Sequence, residues 1–131
     1  MERIFFISLL LLITSNCNNK KEHKLEVTAT AYNSLANQTH KKHAAITAWG
    51  DTLKPGMKSI AVSRDLIKMG LDHNTEVKIK GLEGTYKVLD KMNKRWTKKI
   101  DIYFGVDREK ALKWGKKQVQ ITWYTDENTN E

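Results

Sequence analysis

The sequence predicts a small, mainly β domain: a compact barrel of six or seven short strands with one or two short helices. Three observations lead there. Most apolar residues recur with period 2 over runs of four to eight residues, the spacing of a half-buried strand. The runs are separated by short polar or glycine-containing connections. Only two short stretches carry helix signals, and closing so many short strands into a barrel removes exposed edges. Alternation by itself leaves a small sandwich open as the other arrangement.

The elements follow in order. Leu25–Tyr32 (LEVTATAY) sets Leu25, Val27, Ala29 and Ala31 on one face, and Ala44–Trp49 (AAITAW) reads as a second strand ended by Gly50 and Asp51. Lys54-Pro55-Gly56 is a turn signal. Ser59–Ser63 is a third short strand, and Arg64–Met69 a single helical turn closed by Gly70. Thr75–Lys80 turns Val77 and Ile79 inward. Thr85–Asp90 and Ile100–Phe104 are the next strands. Asp107–Trp114 is a short helix with Asp107 as N-cap and Gly115 beyond its end. Gln118–Tyr124 is the final alternating strand.

The chain has 131 residues, enough for one domain and one modest core. Ile4–Ile13 is an apolar run of ten residues behind Arg3. A spanning helix needs about twenty, so residues 1–16 read as a signal peptide. Cys17 is the single cysteine, which excludes an internal disulfide, and its place just beyond the apolar run is similar to the lipobox of bacterial lipoproteins. The expected organisation is therefore a signal peptide over 1–16, a lipidated polar tether over 17–24, a folded domain over 25–124 and a disordered acidic tail over 125–131. The formal net charge of +8 would suit nucleic acid, an anionic surface or an anionic polymer. Export makes nucleic acid an unexpected partner and leaves envelope polymer or lipid.

Two aspartates stand out as chemistry. Asp90 ends the strand YKVLD, and Asp101 lies between Ile100 and Ile102, on the opposite face from both. If the isoleucines enter the core, Asp101 faces outward or into a groove. Two carboxyls brought close cannot both ionise cheaply, and a carboxyl kept protonated near neutral pH can serve as a general acid. Against that stands an ordinary pairing of both aspartates with the four lysines and one arginine of Lys91–Lys99.

An ordered set of segments carries a resemblance. Val27–Tyr32, Ile46–Gly50, Ser59–Ser63, Ile67 with Gly70, the pair Asp90 and Asp101, Ile100–Phe104, and Ala111–Gly115 before the last strand together resemble the three-aspartate (3D) domain family. That family is related to membrane-bound lytic transglycosylase A and, more distantly, to rare lipoprotein A. The resemblance implies a double-psi β-barrel and lytic cleavage of the MurNAc–GlcNAc β-1,4 bond of peptidoglycan, leaving a 1,6-anhydro end. It implies Asp101 as the acid/base carboxyl and Asp90 as its supporting carboxylate, with no metal and no cofactor. The family's first aspartate falls on Ser63, with Asp65 close by but out of register, and Lys91-Met92-Asn93 replaces a glycine-rich stretch. These departures favour a second expectation, a non-catalytic peptidoglycan-binding lipoprotein module of the same fold.

Tyr32 and Thr47 match family positions near the groove and are expected to touch substrate. Trp49 and Trp96 are candidates to stack on sugar rings, Trp96 the stronger because it sits in the polar, basic loop, whereas Trp114 and Trp123 are expected in the core. The Lys94–Lys99 stretch could meet the carboxylates of peptide stems or simply be solvated. His40 and His43 stand at i, i+3, a spacing able to bind metal, but no further ligands accompany them. A third expectation is a structural lipoprotein whose basic face meets envelope lipid. The partners expected are peptidoglycan glycan strands and a membrane reached through the lipid on Cys17. The expected location is the cell envelope, on an outer membrane facing the periplasm, and the expected state a monomer. Labelled palmitate should be incorporated into the wild-type chain and not into Cys17→Ser; equal labelling of the two would refute acylation at that residue.

Overall fold

The computed structural model describes residues 19–34 and 46–127. Cys17, the signal-peptide stretch, His40, His43 and Ala44–Ala45 lie outside them. Six strands and two short helices follow one another: β1 (Lys20–Tyr32), β2 (Ser59–Val62), α1 (Arg64–Lys68), β3 (Glu76–Ile79), β4 (Tyr86–Lys91), β5 (Lys99–Tyr103), α2 (Arg108–Trp114) and β6 (Lys117–Asp126). The strands close into a barrel in the order β1-β5-β2-β4-β3-β6. β1 runs parallel to β5 and β2 parallel to β4, while β2 and β5 meet antiparallel. This is a double-psi-like barrel, as the sequence predicts.

Alternation explains the interior. Val27 and Ala29 of β1, Ile60 and Val62 of β2, Val77 and Ile79 of β3, Val88 of β4, Ile100 and Ile102 of β5 and Ile121 and Trp123 of β6 form one cluster. Leu66 of α1 and Leu71 join it, both fully buried. Each such side chain contributes about 1.5–3 kcal/mol through removal from water. A second, smaller cluster of Leu53, Leu89 and Tyr103 lies apart from it, with Tyr32 and Met57 packed alongside. The helix ends follow their signals: Asp107 accepts the Lys110 N–H at 3.0 Å, and Gly115 takes φ +66° after the last turn of α2.

Three boundaries differ from expectation. β1 starts at Lys20 rather than Leu25, so residues 20–24 are strand and not tether. The reason is the antiparallel ladder with β6, where His23 pairs with Trp123, stacks on its ring at 5.1 Å and bonds Thr125 Oγ1 through Nε2 at 2.7 Å. The same ladder carries β6 through Thr125 and Asp126, residues expected in the tail. The strand expected over 44–49 is reduced, in its described part, to a single bridge between Ile46 and Thr52. There the Thr47 N–H donates to the Asp51 carbonyl, the Asp51 N–H to Thr47 Oγ1, and the Gly50 N–H to the Thr47 carbonyl. These local bonds satisfy the backbone in a turn and displace the ladder.

Trp123 is 1% exposed and its indole N–H donates to the Met69 carbonyl at 3.2 Å, tying β6 to the end of α1. Trp123→Ala should cost about 3–5 kcal/mol in urea unfolding; a loss below 1 kcal/mol would contradict this packing.

Candidate functional site

The site begins with one row of side chains across four strands. Ala61 of β2 pairs with Asp101 of β5 on one side and with Asp90 of β4 on the other, and Asp101 in turn pairs with Thr30 of β1. Ile100 and Ile102 are fully buried, so Asp101 points away from the core, as their spacing predicts. Asp90 reaches the same face by a different route. Simple alternation from Tyr86 and Val88, both core residues, would send it inward. The register between β2 and β4 slips between Ile60 and Ala61, so Ile60 pairs with Val88 but Ala61 with Asp90. The extra residue, Leu89, packs in the second cluster, and Asp90 turns out beside Asp101. Ala61 between them is small enough to leave a gap.

That gap is the floor of an open groove of about 300 Å³. Asp90, Asp101 and Ala61 form the floor. Tyr32 stands on one side and Lys91-Met92-Asn93 with Trp96 on the other. The structure thus brings together four of the six residues singled out as catalytic or substrate-binding: Asp101, Asp90, Tyr32 and Trp96. Thr47 and Trp49 are not on the groove wall. The Thr47 hydroxyl is turned in on its own loop, and the Trp49 ring lies against His73 at 4.9 Å with Lys91 Nζ 5.6 Å away.

The two carboxyls are held differently. Burial raises Asp101 above the usual carboxylate range; the Thr30 hydroxyl, which donates to Oδ1 at 3.0 Å, and the Lys99 ammonium oppose the rise, and the Asp90 charge adds to it. Asp90 Oδ1 accepts two backbone N–H groups, from Ala48 and from Lys91, each at 2.9 Å. The Tyr32 hydroxyl is buried and forms no well-made hydrogen bond among the described residues, although Ser59 faces it. Burial, then the charges of Asp90 and Asp101, push it well above the ordinary tyrosine range, so it stays an O–H donor beside two carboxyls.

The basic loop is braced from beneath. The Lys99 N–H donates to Ser63 Oγ at 3.0 Å and the Lys98 N–H to Asp65 Oδ2 at 2.9 Å. Burial works to raise Asp65, but hydrogen bonds from Ser63 and the Lys98 N–H outweigh it and hold the carboxyl below its usual range. Ser63 and Asp65 therefore hold the loop rather than line the groove. Arg64 Nε donates to the Met92 carbonyl at 3.2 Å and the Met92 N–H to the Val62 carbonyl at 2.8 Å. Trp96 is half-buried rather than exposed, with Lys99 Nζ 3.6 Å from its ring centroid and the Arg95 guanidinium 4.7 Å away. Trp123 is in the core as expected, while Trp114 is partly buried under Lys117.

Sequence reasoning passed over three contributors: Thr30 on Asp101, the Ala48 N–H on Asp90, and the Asp51–His73 hydrogen bond that ties the 46–52 turn to the segment after α1. Thr30 had a visible signal, since it shares the polar face of β1 with Tyr32 two residues on. The other two depend on a chain path that periodicity does not encode. A larger groove of about 960 Å³ opens at the far end of β1, with Lys20, Lys68, Asp72 and Glu127 among its walls. Its acids, Asp72, Asp126 and Glu127, are all exposed and stand among lysines, whereas the smaller groove holds two half-buried carboxyls, so the chemistry points to the smaller groove. Among the described residues, no three His, Cys, Asp or Glu side chains converge to hold a metal ion, and no helix is long and apolar enough to cross a membrane.

No family model and no curated protein matches the chain. Among solved structures it is similar to an apo expansin of Clavibacter michiganensis, at 15% identity with a TM-score of 0.46. That match covers 83% of this chain and 52% of the expansin, so the chain spans about half of that protein's length.

Raised in the folded state, the Asp101 pKa makes folding bind a proton more tightly than the unfolded chain does. Its contribution to stability is therefore greatest at low pH and is lost as pH rises from the unfolded value near 3.9 through the folded one. Asp101→Asn keeps an acceptor for Thr30 and removes the buried charge. It should melt above wild type at pH 7, with the gap closing below about pH 4; a gap that does not change with pH would show that Asp101 is not held up by burial.

Proposed function

We propose that this protein is a peptidoglycan-binding module of the cell envelope, exported and held to a membrane by lipid on Cys17, whose glycan seat is the groove over β5, β2 and β4. The single observation that carries the reading is the make-up of that groove. It joins two carboxyls, a buried tyrosine O–H without a good partner and an aromatic wall at Trp96. Carboxylates and hydroxyls bond sugar hydroxyls, and aromatic faces meet the apolar faces of sugar rings. The choice of peptidoglycan rests on the resemblance of the ordered segments to the three-aspartate domain family.

Binding is favoured over turnover by what the acids and the loop already do. Asp90 Oδ1 is committed to two backbone N–H groups, and Ser63, where the family has its first aspartate, serves as a brace. Lys91-Met92-Asn93 puts side chains where glycines would let backbone amides approach a ligand.

One observation favours a second reading, lytic cleavage: Asp101 is a half-buried carboxyl with a raised pKa beside a second carboxyl. It would protonate the glycosidic oxygen and then accept the proton of the MurNAc 6-hydroxyl, so that the sugar's own oxygen closes the anhydro ring and no activated water is needed. Neither reading calls on a metal or cofactor.

Incubation with purified sacculi separates them. The binding module should be retained on sacculi in both wild-type and Asp101→Asn forms without releasing product. Trp96→Ala should weaken retention about tenfold, the worth of one aromatic contact of roughly 1.4 kcal/mol. Anhydro-muropeptides made by wild type and absent with Asp101→Asn would establish the lytic reading instead, and no retention at moderate salt would remove the binding module.

A further inference from the structure

The groove has an acidic floor and a basic rim; among the described residues no close ion pair joins the two, although the Lys99 charge reaches Asp101. Lys91 lines the groove, and Lys94, Arg95, Lys98 and Lys99 follow within nine residues on the loop that carries Asn93 and Trp96 to the groove wall. Among the described residues none of them forms an ion pair with a carboxylate; the lysine–carboxylate pairs found lie elsewhere, at Glu22 and Asp107. The nearby acids are occupied otherwise: Asp90 by the Ala48 and Lys91 N–H groups, Asp101 by Thr30, Asp65 by the Lys98 N–H. The loop is not a loose basic tail. Bonds from Ser63, Asp65, Val62 and Arg64 fix its backbone, so the segment that carries the cations is held beside the groove.

We infer that this rim docks the carboxylates of an anionic glycan, so that the groove selects a polymer whose charged groups recur between neutral sugars. The inference deepens the binding reading and rests on it. A uniformly charged polyanion fits poorly, because the same groove that attracts it at the rim opposes it at Asp90 and Asp101. A lipid surface also fits poorly. The large exposed apolar residues, Ile46, Met69, Val106, Leu112 and Tyr124, all lie outside Lys91–Lys99. Trp96 within it is half-buried and lines the groove, so the rim offers charge without a large exposed apolar side chain to insert. A polymer with alternating neutral hydroxyls and carboxylates can satisfy floor and rim at once.

The test uses the full-length wild-type protein with two forms of one ligand: purified sacculi, and the same sacculi with carboxyls converted to neutral amides by carbodiimide and methylamine. We expect amidation to weaken retention at least tenfold at low salt and to flatten its salt dependence. Lys94→Gln/Arg95→Gln/Lys98→Gln should lose retention on untreated sacculi by a similar factor and behave as wild type on amidated ones. Lys94→Arg/Lys98→Arg should keep it. Wild type held equally by both sacculi would overturn the inference while leaving the binding module standing. Retention on neither would remove the binding module and the inference together. Vesicles of 3:1 phosphatidylethanolamine and phosphatidylglycerol bound as tightly as sacculi, through the same three residues, would overturn it in favour of lipid.

Discussion

Two carboxyls can share a groove only if their strands turn them to the same face, and in β4 plain alternation forbids this. Tyr86 and Val88 are core residues, so an unbroken strand would drive Asp90 into the barrel interior. An ionised carboxylate there, without a partner, would cost several kcal/mol. The slip in the β2–β4 register removes that conflict. One additional residue, Leu89, is accommodated in the outer cluster with Leu53 and Tyr103, and Asp90 emerges level with Asp101 across Ala61. Bulges bend a strand and re-aim its side chains, and here the re-aimed group is an acid. Without the slip there is no acid pair, the groove has no polar floor, and the 46–52 turn loses the carboxylate that receives its Ala48 N–H.

The outer face is stabilised by groups other than the groove residues. Asp101 is a net burden to folding at neutral pH, since burial opposes its charge. The closed ladder carries that burden. β2 is buried along its whole length and hydrogen-bonded on both sides, to β4 and β5, which leaves the acids on the most constrained part of the barrel. Loop bracing adds to this. Ser63 and Asp65 hold Lys98 and Lys99 by their backbone N–H groups, while Asp51 and His73 hold the opposite turn. Sites assembled on rigid strands and pinned loops keep their geometry without help from a ligand.

The sequence made the barrel legible because β1, β3 and β6 and the first part of β5 obey period 2. Val77 and Ile79, Ile100 and Ile102, and Val119, Ile121 and Trp123 all enter the interior as alternation requires. It made the outward face of Asp101 legible for the same reason, through its two isoleucine neighbours. The face of Asp90 was not legible, because the register slip is marked by no glycine or proline; Val88-Leu89 looks like any apolar pair. The Ala44–Trp49 expectation failed in its described part where Thr47 and Asp51 offered the backbone local partners that compete with a ladder. Composition placed Trp96 in water, yet it is half-buried with Arg95 and Lys99 packed near its ring; cation–aromatic packing at i−1 and i+3 of a loop has no periodic signature.

Net charge and local charge then need separate treatment. An excess of +8 describes long-range attraction, which salt weakens over about 10 Å and which any anion shares. Selectivity has to come from the distances within the groove, where attraction at the rim and repulsion at the floor act on different groups of one ligand. Because Asp90 and Asp101 lie one strand to either side of Ala61, the floor is roughly two strand spacings wide, about 10 Å. That is the scale of a disaccharide rather than of a single anion. A ligand of this length meets floor and rim with different parts of itself, so the cations supply approach and register while the acids reject chains charged at every unit.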